Sequence, residues 1–400
     1  MRQALRNRRE LTGVIVTTGT TPNALGVIRD FGRRGIPVFY LDSERHSMVK
    51  YSKYITQRLK FPSTRQSESA FIDALLEYGS RSESRLMIIP TGDRDLLALS
   101  KYSKKLEPFY YFSLPPFETV RKLVNKKEFY QLLAAMKIAH PLTYLPKDFD
   151  ELRAIGREIG YPFIVKPAYS AQFQEEFGRK CRLIYSSEAL DSATERMKGK
   201  NIEAMIQEIV PGEELYSFYT YFNQESNPIA ICGYDKLRQY PPNFGSGSLC
   251  RSALRPAPVN LAVQLLKAIG YRGIAEAEFI RDPRDGEYKL LEINARTTRQ
   301  NRLPPECGVD VEYIAYLDTI GQKVEVSVNP KSDIFWVDDF YDTLSYLTRL
   351  REKKLKAGEQ LTYRGHKVVH SIAAWDDLAP LVIQAINMSI AFLRLLLRQQ

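Results

Sequence analysis

The chain has 400 residues, 44% of them hydrophobic and 26% charged, with a formal net charge of +10; this is the makeup of a globular protein of two or three domains and excludes a disordered or fibrous chain. The positive balance comes without a zinc finger, helix-turn-helix or RNP-like motif, so it points to small anionic ligands and no nucleic acid. Four scattered cysteines, Cys181, Cys232, Cys250 and Cys307, form no C-x-x-C pair, which argues for reduced thiols in a cytoplasmic protein over a disulfide framework or zinc knuckle.

In chain order, the basic opening MRQALRNRRE runs into LTGVIVTTG, an apolar piece too short and too strand-like for a signal peptide. GVIVTTG, a helical stretch from Ala24 to Arg34 and IPVFYLD read as a β-α-β unit, and LMIIPTGDRDLLALSKY repeats the strand-to-helix theme. A parallel sheet is expected over residues 1–120. Thr18-Gly19-Thr20-Thr21 and Thr91-Gly92-Asp93 then fall at strand C-terminal ends, where open α/β sheets place ligand loops; they read nearly as well as ordinary turn and capping residues. The absence of G-x-G-x-x-G disfavours NAD.

Further on, Asn125-Lys126 opens a helical pattern carrying Phe129, Leu132, Leu133 and Met136 up to Pro141. YPFIVKPAYS is a buried-type strand that puts Lys166 at its mouth, where a lysine can reach phosphate; a polar loop, Ala168 to Arg179, and the strand CRLIYS follow. AMIQEIVPGEELYSFYTYF gives two strands around a Pro211-Gly212 turn, with Glu208 before it and Glu213 and Glu214 after it. The segment YDKLRQYPPNFGSGSLCR gathers Lys236, Arg238 and Arg251 around a Pro-Pro and Gly-Ser-Gly loop, with Arg255 just beyond. Next, EFIRDPRDGEYKLLEINAR reads as a hairpin about the turn formers Asp282 to Gly286. Residues two apart on a strand share a face, so Glu292 and Asn294 project together and Glu278 on the partner strand reaches the same side. Such a hard, all-oxygen set suits Mg²⁺ bridging phosphates; as a plain hairpin it would carry solvated acids.

In this ordered set the chain resembles the ATP-grasp superfamily, in its carboxylate–amine ligase-like branch, from about residue 121 to 325 by motif. The resemblance implies a fold: an N-terminal parallel-sheet α/β domain (1–120), then a two-subdomain α+β ATP-grasp domain with antiparallel sheets (121–325, the lid at about 138–210), and a C-terminal extension (326–400). It also implies ATP with Mg²⁺, or Mn²⁺ as an alternative. Lys126 and Lys166 would meet the α- and β-phosphates; Gln207, Glu208 and Val210 belong to the hinge that holds adenine, with Glu214 on the ribose. Glu278, Glu292 and Asn294 would hold the metal, and Arg296, with Arg299, the transferred phosphoryl group. The loop after Lys166 departs from the family's glycine-rich pattern, having only Gly178, and Lys180 would supply its charge. Lys236, Arg238 or Arg251 would steady the γ-phosphate or the acyl phosphate.

The activity so implied is ligation of a small-molecule carboxylate, activated as an acyl phosphate, to an amine, with release of ADP and phosphate. A small-molecule kinase, a ligase acting on a thiol or hydroxyl, and a nucleotide-binding sensor are the alternatives. Past residue 325, His366 and His370 lie on a strand-like stretch and read as surface or packing residues, not a metal pair. The terminal stretch from Trp375 carries no charge between Asp377 and Arg394. It reads first as a buried or homodimer-forming helix, and second as a membrane-surface helix rimmed by Arg394 and Arg398.

Overall fold

The computed structural model describes residues 12–18, 21–44, 47–169, 173, 176–178, 180–200, 202–242, 244–352 and 363–397. The basic N-terminus, Gly19-Thr20, much of the loop after Ala168 and Arg398 therefore lie outside the described residues.

The N-terminal domain is a parallel sheet of β1 (Val14–Val16), β2 (Val38–Asp42), β3 (Gln57–Lys60), β4 (Leu86–Ile89) and β5 (Tyr110–Tyr111), in the order β3-β2-β1-β4-β5. β1 and β4 read VIV and LMII and are buried throughout, the continuous apolar runs of strands covered on both faces. Strand order reverses between β1 and β4, so the crevice beyond Val16 and Ile89 is the switch point at which such sheets receive a partner. Here that crevice takes up a segment of the same chain. Asn23 donates to the carbonyls of Thr91 (3.0 Å) and Thr297 (2.8 Å), and Asn301 donates back to the Asn23 carbonyl (2.9 Å). Thr91 itself donates its hydroxyl to the Thr17 carbonyl, tying the ends of β1 and β4 together.

Two further sheets follow. The smaller holds β6 (Thr143–Tyr144), β7 (Phe163–Pro167), β8 (Arg182–Ile184) and β9 (Ala204–Glu208), all antiparallel in the order β6-β9-β7-β8. Helices Phe149–Ile159 and Ser187–Met197 cover it, burying Leu152, Leu190 and Met197 against Phe163, Val165 and Ile206. The larger sheet is built on β10 (Leu215–Phe222), β11 (Pro228–Tyr240), β12 (Ser246–Ser252), β13 (Gly273–Arg281) and β14 (Tyr288–Asn294), in the order β14-β13-β10-β11-β12. Residues 209–214 carry the chain from one sheet to the other, so the Pro211-Gly212 turn is the hinge between them.

From beyond position 325, β15 (Phe335–Val337) pairs with β12, and β16 (Val368–His370) pairs with β15, completing seven strands. His370 donates or accepts at Asp339 (2.6 Å) and His366 packs on the Phe335 ring, so both histidines are structural contacts. The chain then returns to the N-terminal domain. Asp377, buried, receives Arg29 Nε (2.9 Å), Ser52 Oγ (2.7 Å) and the Lys53 amide (3.0 Å), while Arg29 also donates to the Ile372 and Asp377 carbonyls. The terminal helix Ala379–Leu397 leaves Val382, Ile386 and Ile390 exposed at four-residue steps, in line with Leu378 just before it. Among the described residues no helix is long and apolar enough to cross a membrane.

Candidate active site

The site grows from the alternation of the large sheet. On β13, Ala275, Ala277 and Phe279 point into the core under the helix Pro256–Ala268, so Glu276 and Glu278 must face the other way. Register carries that second face across the sheet: Glu278 is paired with Glu292, Glu276 with Asn294, and both glutamates lie beside Ser217 and Tyr219 of β10. β11 adds Tyr234 and Lys236 to the same face. Ser217 is the decisive middle residue. With only a hydroxymethyl group between β11 and β13, Lys236 reaches across to Glu278 and Tyr234 reaches across to Glu276.

Lysines meet this acidic ridge from two sides. Asn125 caps the helix Lys126–Ala135, its Oδ1 accepting the amides of Lys127 (3.0 Å) and Glu128 (3.2 Å), which places Lys126 at the helix start as the cap pattern requires. Lys126 Nζ then meets Glu292 Oε2 at 2.7 Å. The Lys126 charge, against the opposing effect of burial and with help from Lys180 and Lys236, holds the Glu292 carboxyl well below the ordinary range. Burial works against the ammonium groups of Lys126 and Lys236, but Glu292 and Glu278 outweigh it and raise both above the usual lysine value. Lys166 lies on β7 of the small sheet, where burial pushes the Cys181 thiol up while Lys166, Lys126 and Lys180 pull it down.

At the inner edge stands Arg296. Its Nε donates to Asp93 (2.6 Å) and its Nη groups to the Thr297 carbonyl (3.0 Å) and to Asn294 Oδ1 (3.3 Å). Burial disfavours the guanidinium and Asp93 more than compensates, so it stays charged. Asp93 opens the helix Asp93–Lys101 at the C-terminal edge of the parallel sheet, so the N-terminal domain reaches the site through it.

The other candidates fall in different settings. Arg238 forms a buried pair with Asp342 (2.6 and 2.8 Å), and Arg299 is drawn to Asp338 (2.5 Å) and lies over the Tyr341 ring; acids of the C-terminal region thus claim both. Arg251 and Arg255 share Asp235. In the hinge, Gln207 is buried and donates to Thr143 (2.8 Å), and Val210 is buried. The Glu208 carboxylate is taken by the Leu142 amide and Arg284, both at 2.8 Å. Glu214 is largely exposed beside Arg281.

Glu278, Glu292 and Asn294 fit a divalent ion by donor chemistry: all are hard oxygens, and the ridge already attracts the positive charge of Lys126 and Lys236. Among the described residues no group of three His, Cys, Asp or Glu that could hold a metal ion is present, and the candidate set takes its third oxygen from an amide. Sequence reasoning missed Glu276 and Tyr234, while Asp93 stands in the Thr91-Gly92-Asp93 stretch that the sequence already placed at a strand end suited to a ligand loop. The alternation AEAEF signals Glu276 as clearly as Glu278; nothing local signals Tyr234.

Comparison with known proteins bears on the whole arrangement. Residues 251–324 match the family model of the carbamoyl-phosphate synthase L chain, ATP binding domain. D-aspartate ligase of Enterococcus faecium is 24% identical over 307 residues, 72% of either chain. Both matches agree with the ATP-grasp resemblance that the motifs carry. Among solved structures, the biotin carboxylase domain of Hydrogenobacter thermophilus 2-oxoglutarate carboxylase, in complex with MgADP and bicarbonate, superposes with a TM-score of 0.64 at 17% identity, over 82% of this chain and 74% of that one. The L-amino acid ligase of Bacillus licheniformis gives 0.60 at 15% identity, over 79% and 76%. Of the carbamoyl phosphate synthase large chains that it also matches, the chain spans about a fifth.

Proposed function

We propose that the protein is an ATP-dependent ligase that activates a small-molecule carboxylate as an acyl phosphate and joins it to an amine, releasing ADP and phosphate. One observation carries this reading: Lys126 pairs with Glu292 and Lys236 with Glu278 on the ridge that also bears Asn294, with Arg296 donating to Asn294 at its rim. Paired cations and acids of this kind suit a metal-bound phosphate chain.

In this reading Lys126 and Lys166 hold the phosphate tail, and Glu278, Glu292 and Asn294 hold Mg²⁺. When bound, the ion supplies charge neutralisation between the terminal phosphates. Arg296, fixed by Asp93, faces the transferring group and then the carbonyl oxygen that gains charge when the amine attacks. No side-chain nucleophile enters. The relatives' names, D-aspartate ligase and L-amino acid ligase, support an amino acid as one of the two substrates.

The test is an ADP-release screen of the purified protein against amino acids, dipeptides and dicarboxylates with a panel of amines, with and without Mg²⁺. Substrate-dependent ADP with an amide product supports the ligase, and Lys166→Ala or Glu292→Ala should abolish it while leaving the fold intact. A stable phosphorylated product, or nucleotide binding with no substrate-dependent turnover, would overturn it.

A further inference from the structure

Glu276 has no part in the assignments above, yet it is the most enclosed carboxylate of the ridge, 2% exposed. Both of its oxygens are engaged from within the protein. Oε1 accepts the Tyr234 hydroxyl, and Oε2 accepts Asn294 Nδ2 at 3.1 Å. An amide nitrogen held in this way fixes which end of the Asn294 side chain is presented to the site: Oδ1 is turned out, toward Arg296 Nη2 at 3.3 Å. Only in that orientation is Asn294 an oxygen ligand, because the opposite one would offer two N–H donors to a cation.

We infer that Glu276 is a positioning residue that orients the Asn294 amide, with Tyr234 in turn fixing Glu276, so that the site presents an oxygen and not a nitrogen to the divalent ion. The inference rests on the proposed metal role of Asn294. It assigns Glu276 no contact with the ion: with both oxygens taken and Asn294 and Glu278 outside it, Glu276 acts through its neighbour. The contacts form one chain from the interior to the domain boundary, Tyr234 to Glu276 to Asn294 to Arg296 to Asp93, so a slip at Glu276 reaches both metal ligand and arginine. Partners of this outer kind alter metal affinity by about 10- to 100-fold when removed.

The test is ADP binding by the full chain, followed by isothermal titration calorimetry at a series of free Mg²⁺ concentrations and in EDTA. Glu276→Ala should raise the Mg²⁺ concentration that half-completes the Mg²⁺-dependent gain in ADP affinity by about 10- to 100-fold, with ADP affinity in EDTA unchanged. Glu276→Gln should recover most of the loss, since its Oε1 can accept from Asn294 while its amide nitrogen donates to Tyr234, whose hydroxyl can reverse roles. Tyr234→Phe, which removes one oxygen and keeps the packing, should move Mg²⁺ dependence in the same direction by less, and serves where Glu276→Ala does not fold. Unchanged Mg²⁺ dependence in Tyr234→Phe together with a folded Glu276→Ala would overturn the inference. So would a Glu276→Gln as defective as Glu276→Ala, which would mean that the carboxylate charge itself is needed at the ion. A wild-type protein whose ADP binding ignores Mg²⁺ strikes the metal assignment and with it the proposed function, a different failure from a Mg²⁺-responsive wild type matched by its variants.

Discussion

Replacing Lys236 with methionine separates the charge of the ridge from its shape. The variant keeps an unbranched apolar stem beneath Ser217 and loses the ammonium that meets Glu278. Those side chains are 5% and 19% exposed, so the pair lies in the regime where removing one partner strands a buried charge and costs about 3 to 5 kcal/mol. The water still reaching Glu278 favours the lower end, about 3 kcal/mol. Mg²⁺ with ADP would restore positive charge at the same carboxylates. Ligand at a hundred times its Kd stabilises a native state by about 2.7 kcal/mol, and at equal Mg²⁺ and ADP concentrations the variant should gain more than the wild type. Urea unfolding followed by circular dichroism and tryptophan fluorescence measures both effects, coincident transitions being required before a free energy is taken. Trp336 is fully buried in the large sheet and Trp375 is 94% exposed, so the emission change reports on the sheet that carries the site. A variant as stable as the wild type in EDTA, or one that gains no more from Mg²⁺ and ADP, would refute the reasoning.

Three further outcomes are expected. Asp93→Asn removes the charge that fixes Arg296 and should lower kcat by about 100-fold, the penalty of a small misplacement, with ADP affinity by calorimetry unchanged; a wild-type kcat would show that Arg296 needs no anchor. Ser217 is fully buried and its Oγ has no partner, so Ser217→Ala should be neutral in unfolding and turnover, whereas Ser217→Leu should block the Lys236–Glu278 contact, cost about 1 to 3 kcal/mol by overpacking and abolish turnover. Burial raises the Asp95 carboxyl to about 6, against hydrogen bonds from Thr64 and Thr17. An acid whose folded pKa lies above its unfolded value binds its proton more tightly when native, so its stabilising contribution is complete below about pH 4 and is lost as pH rises through 6. The stability of Asp95→Asn relative to wild type should therefore climb between those limits by about 3 kcal/mol, two pH units at about 1.36 kcal/mol each; a flat difference would contradict the shift.

What could be read from the sequence was what short-range physics encodes. The β13–β14 hairpin is marked by alternation and by the turn formers Asp282 to Gly286, Lys126 by the Asn125 cap, and the parallel sheet by its apolar runs. Contacts between distant elements were not legible. Arg238 meets Asp342 across 104 residues of chain and Arg299 meets Asp338 across 39, and no periodicity announces such partners. Lys236 sat in the right segment, but its reach to Glu278 depends on the smallness of Ser217 on an intervening strand, a property of sheet order. Glu276 was passed over for a different reason: in a strand with two inward acids, the pattern does not say which is free for a ligand and which is consumed by a tyrosine and an amide.

The clasp of Arg29 on Asp377 has a consequence for motion. The last strand of the large sheet ends at His370, and seven residues later the chain is pinned inside the N-terminal domain by a bidentate, solvent-free anchor. Together with the Asn23 and Asn301 contacts at the switch point, this staples the two larger bodies at opposite places on their shared boundary. Any opening of the cleft would then have to move the small sheet, which is joined to the large one through 209–214, and would carry Lys166 with it while Lys236 and the acids of the large sheet stayed in place.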